Sequence, residues 1–122
     1  TDFGDTVNAG AYGWTNGVVG SSTRGLFALG ANDSGHYNNI EYITMATLGN
    51  AIDFGDLSET EVYKAGMSSP TRGLFAGGSD PTVSNVIDYV NIQTTGNSLD
   101  FGDITTTGRA QAPGGSNAHG GL

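Results

Sequence analysis

Twelve carboxylates and only four lysine and arginine side chains carry the charge of this 122-residue chain, and several of the carboxylates recur in pairs three residues apart. Asp53 and Asp56 are followed closely by Glu59 and Glu61, and Asp100 and Asp103 repeat the pair. Such clusters offer hard oxygens, the chemistry of a calcium site, which collects six to eight of them. The spacing follows neither an EF-hand loop nor a nonapeptide calcium repeat. Calcium at Asp53, Asp56, Asp100 and Asp103 therefore stands beside a plainer reading, a solvated acidic edge that discourages sheet-to-sheet addition. The Asp-Phe-Gly triplet inside these motifs is also the magnesium-holding triplet of protein kinases. A kinase, however, needs a far longer chain and a lysine on a preceding strand, and uses the triplet once. Three occurrences in one short chain mark a strand-end turn with its phenylalanine in the core. His36 and His119 stand in unlike contexts with no second histidine or cysteine nearby, which supplies neither a zinc set nor a general base. No serine lies in a Gly-x-Ser-x-Gly elbow. Nothing in the residue pattern supports an enzyme.

Two other groups have binding chemistry. Arg24 and Arg72 occupy the same place in a repeated phrase. A guanidinium there can grip a carboxylate or sugar hydroxyls, or pair with an aspartate of a neighbouring strand, as the acidic excess favours. Tyr12, Trp14 and Tyr37 lie outside the repeated phrases, where loops on a repeated scaffold carry recognition. Their rings suit the face of a sugar, which makes them the candidates for a glycan contact. The competing expectation is that they cap an exposed end of the core.

The elements that must position these residues are themselves repeated. Asp-Phe-Gly-Asp occurs at Asp2 to Asp5, Asp53 to Asp56 and Asp100 to Asp103, built around Phe3, Phe54 and Phe101. Thr-Arg-Gly-Leu-Phe-Ala occurs at Thr23 to Ala28 and again at Thr71 to Ala76, so that Leu26 and Leu74 are equivalent. Ile40 to Asn50 returns as Ile87 to Asn97. The offsets of 47 and 48 give about two and a half copies of one unit. Gly-Leu-Phe-Ala closed by glycine reads as a strand, Ile-Asp-Tyr-Val-Asn-Ile as a half-buried strand, and Leu99 to Ile104 as a third that buries Leu99 and Phe101. A fourth, weakly patterned, falls near Val62 to Met67 and Arg109 to Ala112. No segment has helical periodicity.

The expected fold is thus all-β, about 2.5 tandem four-stranded repeats of 47–48 residues. The array divides into a partly divergent first copy (1–52), a second (53–99) and an incomplete third (100–122), a fragment of a longer array. Four strands in about 50 residues, with a glycine pair after one of them, is similar to a kelch-type β-propeller blade. Phe3, Phe54 and Phe101 stand where kelch repeats carry tryptophan, and a β-solenoid or fibrous β stack is the alternative.

Composition narrows the function classes. A formal net charge of -8 leaves no basic stripe to neutralise phosphates, which argues against nucleic acid. No apolar run approaches the length of a bilayer span. Glycine supplies 21 residues, pointing to tight turns and close backbone approaches. Leu, Ile, Val and Phe together supply only 25, a thin core. Such a core covers sheet edges poorly, so copies of the chain or other repeats are expected to hold it, through end blocks near Asp2 to Asp5 and Gly114 to Leu122.

Arg-Gly-Leu-Phe-Ala-Gly-Gly, Thr-Thr-Gly-Asn, Asp-Phe-Gly-Asp and the closing Ser-Asn-Ala-His-Gly-Gly-Leu resemble the repeats of virion structural and tail-fibre-like proteins of marine bacteriophages, cyanophages among them. The likeness covers nearly the whole chain. It implies a non-enzymatic virion or extracellular appendage or adhesion segment, partnered by itself, by other virion proteins or by a host-surface glycan. A free-standing lectin-like propeller is the rival. The resemblance assigns no site residue.

Overall fold

Glycine-punctuated apolar runs become short strands, and the chain contains no helix among its described residues. The computed structural model describes residues 1–7, 17–79, 81–105, 107–111 and 113–116. The strands in chain order are β1 (Val18–Gly20), β2 (Arg24–Ala28), β3 (Ala31–Asn32), β4 (Gly35–His36), β5 (Asn39–Thr44), β6 (Ile52–Asp56), β7 (Ala65–Ser68), β8 (Arg72–Ala76), β9 (Val86–Asn91) and β10 (Leu99–Asp103). They form two four-stranded antiparallel meanders, β1-β2-β5-β6 and β7-β8-β9-β10, and a two-stranded ribbon, β3-β4. None closes into a barrel.

The pairing registers of the two meanders correspond residue for residue. Val19 faces Leu26 in β1-β2, and Met67 faces Leu74 in β7-β8. Leu26 faces Tyr42, and Leu74 faces Tyr89. The last pairing has a bulge in both sheets, after Ile40 opposite Gly55 and between Gly102 and Asp100 opposite Ile87 and Asp88. The bulge carries the phenylalanine of Asp-Phe-Gly-Asp and re-aims its ring. Tyr42 then meets Phe54 edge to face at 5.8 Å, and Tyr89 meets Phe101 at 6.0 Å.

One buried cluster joins the sheets: Val19, Leu26, Ala28, Ile40, Phe54 and Leu57 with Phe75, Val90 and Ile92. Close approach depends on glycine at two crossings. A Cβ on Gly66 would strike the backbone of Val18, and one on Gly73 would strike the Val19 side chain. Alternation along the strands then gives each sheet two unlike faces. Leu26 of β2 turns toward the second sheet and is fully buried, whereas its repeat Leu74 turns away from the first sheet and is half-buried. The adjacent phenylalanines reverse the pattern: Phe75 is fully buried and Phe27 is not.

Several expectations need correction. Leu99 and Phe101 are exposed, at 60% and 51%, because they lie on the outward face of β10, which no described segment covers. Phe54, with the same neighbours in its own sheet, is 3% exposed under the second sheet. The weakly patterned strand is β7, displaced from Val62 to Met67 to Ala65–Ser68, and Val62 makes only an isolated bridge to Ser79. Arg109, Ala110 and Gln111 are not a strand, and Ala112 lies outside the described residues. In β9 the buried face carries Asp88 beside Val90, an acidic residue where a half-buried strand would show its polar side to water.

Candidate functional site

The most elaborate polar chemistry lies where one repeat meets the next. The first two Asp-Phe-Gly-Asp segments are each held by the Gly-Asn turn that precedes the last strand of the next sheet, β6 or β10. The Gly49 and Ala51 N–H groups donate to the carbonyls of Phe3 and Asp5 at 2.9 and 2.8 Å, and the Asp5 N–H donates to Asn50 Oδ1 at 3.0 Å. Forty-seven residues on, the Gly96 and Ser98 N–H groups donate to Phe54 and Asp56 at 2.8 Å each, and the Asp56 N–H donates to Asn97 Oδ1 at 3.0 Å. A buried carboxylate adds a further bond in each junction. The Val7 N–H donates to Glu41 Oε2 at 2.9 Å, and Ser58 donates from its N–H and its hydroxyl to Asp88 Oδ2, at 3.2 and 2.9 Å. Bonds from backbone N–H groups suit a carboxylate withdrawn from water.

Glycine is required at this latch. Gly4 and Gly55 have φ of 151° and 145°, and a Cβ on either would overlap the carbonyl oxygen of Gly49 or Gly96. Gly102 has φ of 138° and the same place in its strand, yet a Cβ there would meet nothing within 4 Å. The third latch segment has the same form, and no Gly-Asn turn among the described residues packs on it.

The repeated arginines belong to the same junction. Arg24 lies 4.6 Å over the Tyr42 ring and donates to the Ile92 carbonyl of the second sheet at 3.0 Å. Nearby, the Gln93 side-chain amide reaches Ser21 Oγ and Thr23 Oγ1 at 3.1 and 3.2 Å. Arg72 stacks on Tyr89 at 5.0 Å but is exposed, at the rim of an open cleft of about 480 Å³. Thr71, Tyr89, Asn91, Thr94, Asn97 and Leu99 also line this cleft.

A second polar cluster sits beside the β6–β7 connection. Lys64, 4% exposed, donates to the Gly77 carbonyl at 2.9 Å. Burial pushes its pKa below the usual lysine value, against the opposing pull of Asp88, Glu59 and Glu61. Ser84 donates to Glu59 Oε2 at 2.7 Å, and Asp88 Oδ1 is buried without a hydrogen-bond partner.

The residues singled out by sequence fall into three groups. Arg24, Leu26 and Phe54 lie where the two sheets meet and the Phe3 carbonyl is bonded at the first latch, whereas Arg72, Leu74 and Phe101 lie on the outward side of the second sheet. Asp53, Asp100 and Asp103 are exposed and Asp56 is half-buried, and no group of three acidic or histidine side chains among the described residues is placed to hold a metal ion. Tyr37 is half-buried after β4, its N–H bonded to the Gly30 carbonyl. Tyr12 and Trp14, the other two members of the proposed aromatic trio, lie outside the described residues. Sequence reasoning missed Asn50, Asn97, Glu41, Asp88 and Lys64. The signal for the first four was present: an asparagine and an acidic residue each recur at an offset of 47.

No protein-family model matches the chain, and no curated protein matches it.

Proposed function

We propose that the chain is a non-enzymatic structural module, a stack of blade-like β-repeats of the kind that would serve in a virion appendage or an adhesion segment. One observation carries this reading: the bonds that join one repeat to the next recur with the same atoms in both junctions, so the chemistry of the unit is spent on its neighbour. The two sheets approach each other most closely along β1, β7 and β8, as blades do near a common axis, which favours propeller-like over straight stacking. The resemblance to phage tail-fibre-like repeats supplies the setting, outside a cell and in company with other copies or virion proteins.

A lectin-like module is the second reading, favoured by the ring of Tyr89 and the hydroxyl and amide groups around its cleft. It comes second because the equivalent surface of the first sheet is covered by the next repeat. A glycan array probed with the full chain, run beside limited proteolysis, separates the two. The structural reading expects no retained glycan and a chain that resists cleavage between Leu57 and Lys64. Glycan capture that is lost in Tyr89→Ala would replace it with the lectin reading. Rapid cleavage between two surviving sheets would remove its basis.

A further inference from the structure

Every feature that holds the first sheet against the second is repeated on the outward face of the second sheet. Leu74, Ile87, Tyr89 and Phe101 repeat Leu26, Ile40, Tyr42 and Phe54, all four of which lie in or against the shared core. Among the described residues, Phe101 is half exposed, Arg72 has no counterpart of the carbonyl that Arg24 finds, and a Cβ on Gly102 would meet nothing within 4 Å. The face has the shape and chemistry of an interface whose other half is known from the same chain. That half is the face of a sheet bearing Phe75, Val90 and an acidic residue, followed by a Gly-Asn turn.

A second copy of the chain possesses such a half in its first sheet: Phe27, Ile43, Glu41 and the turn Gly49-Asn50-Ala51. Among the described residues this half is covered in the single chain by residues 2–7, through the four bonds described above. We propose that the outward face of β7-β8-β9-β10 is a head-to-tail docking site for a second copy, whose residues 2–7 give way to residues 100–105 of the first. This rests on the stacking reading above. The exchange conserves the bonds. Phe101 and Asp103 carbonyls accept from Gly49 and Ala51 of the second copy, the Asp103 N–H donates to Asn50 Oδ1, and the Thr105 N–H donates to Glu41. Arg72 gains the Met45 carbonyl, the counterpart of Ile92. The net gain is apolar: two half-exposed sheet faces cover one another, where residues 2–7 cover only part of one.

The segment 113–116 lies in the way and must move. Gly114 is packed on the backbone of Gly66 as Gly66 is packed on Val18, so β1 of the incoming copy takes its position. Docking is therefore concentration-dependent, and because the two faces differ it propagates head to tail.

Sedimentation velocity on the full chain, from low micromolar to near millimolar, tests the proposal. The average mass is expected to rise with concentration. Phe101→Ser, and separately Gly102→Ala, are expected to weaken association by about tenfold or more with circular dichroism unchanged. A synthetic peptide of residues 1–7 is expected to reverse the association, and its scrambled form to leave it intact. Mass fixed at one chain at every concentration overturns the proposal. So does association unaffected by Phe101→Ser and by the peptide, which would place the contact elsewhere. Either result leaves the stacking reading standing, since that depends on the junction within one chain.

Discussion

Phe54 and Phe101 share a motif, a bulge and a tyrosine neighbour, and differ only in what covers them. Phe54→Ala is expected to cost about 3–5 kcal/mol, the range for emptying a buried phenylalanine site. Phe101→Ala is expected to cost about 1 kcal/mol, the worth of its edge contact with Tyr89. Urea titration of both variants checks this, and equal losses would show that the outward face is covered. Lys64 makes a second residue-scale test. Its folded pKa is depressed by burial, so the folded chain gives up the proton at lower pH than the unfolded chain does. Stability then rises with pH through the window from the folded pKa to the ordinary lysine value, and the cost of burying the charge is carried in full below it. The wild type is expected to gain melting temperature relative to Lys64→Met as pH rises from neutral into the alkaline range. A constant difference would show that Lys64 titrates as it does in water.

The elements were legible where they obey local rules. The Arg-Gly-Leu-Phe-Ala strands stand out as apolar runs closed by glycine, and their repetition gave the four-strand unit. β1 and β7 were hard to read because they are short, contain glycine and owe their place to crossing one another at Gly66. The β3-β4 ribbon escaped notice because its residues are not repeated in sequence, and in the second repeat the Ser79–Val83 bridge stands in its place. The latch was illegible as chemistry, although both halves were visible as repeated phrases, because the bonds of its turns span 41 to 46 residues of sequence. Exposure of Phe101 was equally hidden: identical local sequence cannot report different surroundings. Gly55 and Gly102 put the latch to a test at this scale. Both have similar positive φ, so alanine strains both alike, and the difference between Gly55→Ala and Gly102→Ala isolates the crossing with Gly96. Gly55→Ala is expected to be the more destabilising by about 1–3 kcal/mol, an overpacking cost. Thermal melts of the pair decide it, and equal melting points would mean that the turn yields freely.

At the scale of the molecule, one cluster of nine buried residues draws on both meanders and the connection between them. The sheets are therefore expected to unfold together, with calorimetric and van't Hoff enthalpies that agree. Asn97→Ala removes the acceptor for Asp56 and should lower the melting temperature while leaving a single transition, because the shared core remains. Two separated transitions in the wild type would show that each meander is stable without the other.

The two latches close identically although the stretches that follow them differ in length: Asp2 to Arg24 spans 22 positions and Asp53 to Arg72 spans 19. The bonds at the turn, not the length of the connecting chain, set how one unit registers on the next. The connection is thereby released from acting as a ruler. It is the stretch of each unit where residues can be added or rewritten, Tyr12 and Trp14 among them, while the spacing of the scaffold stays the same.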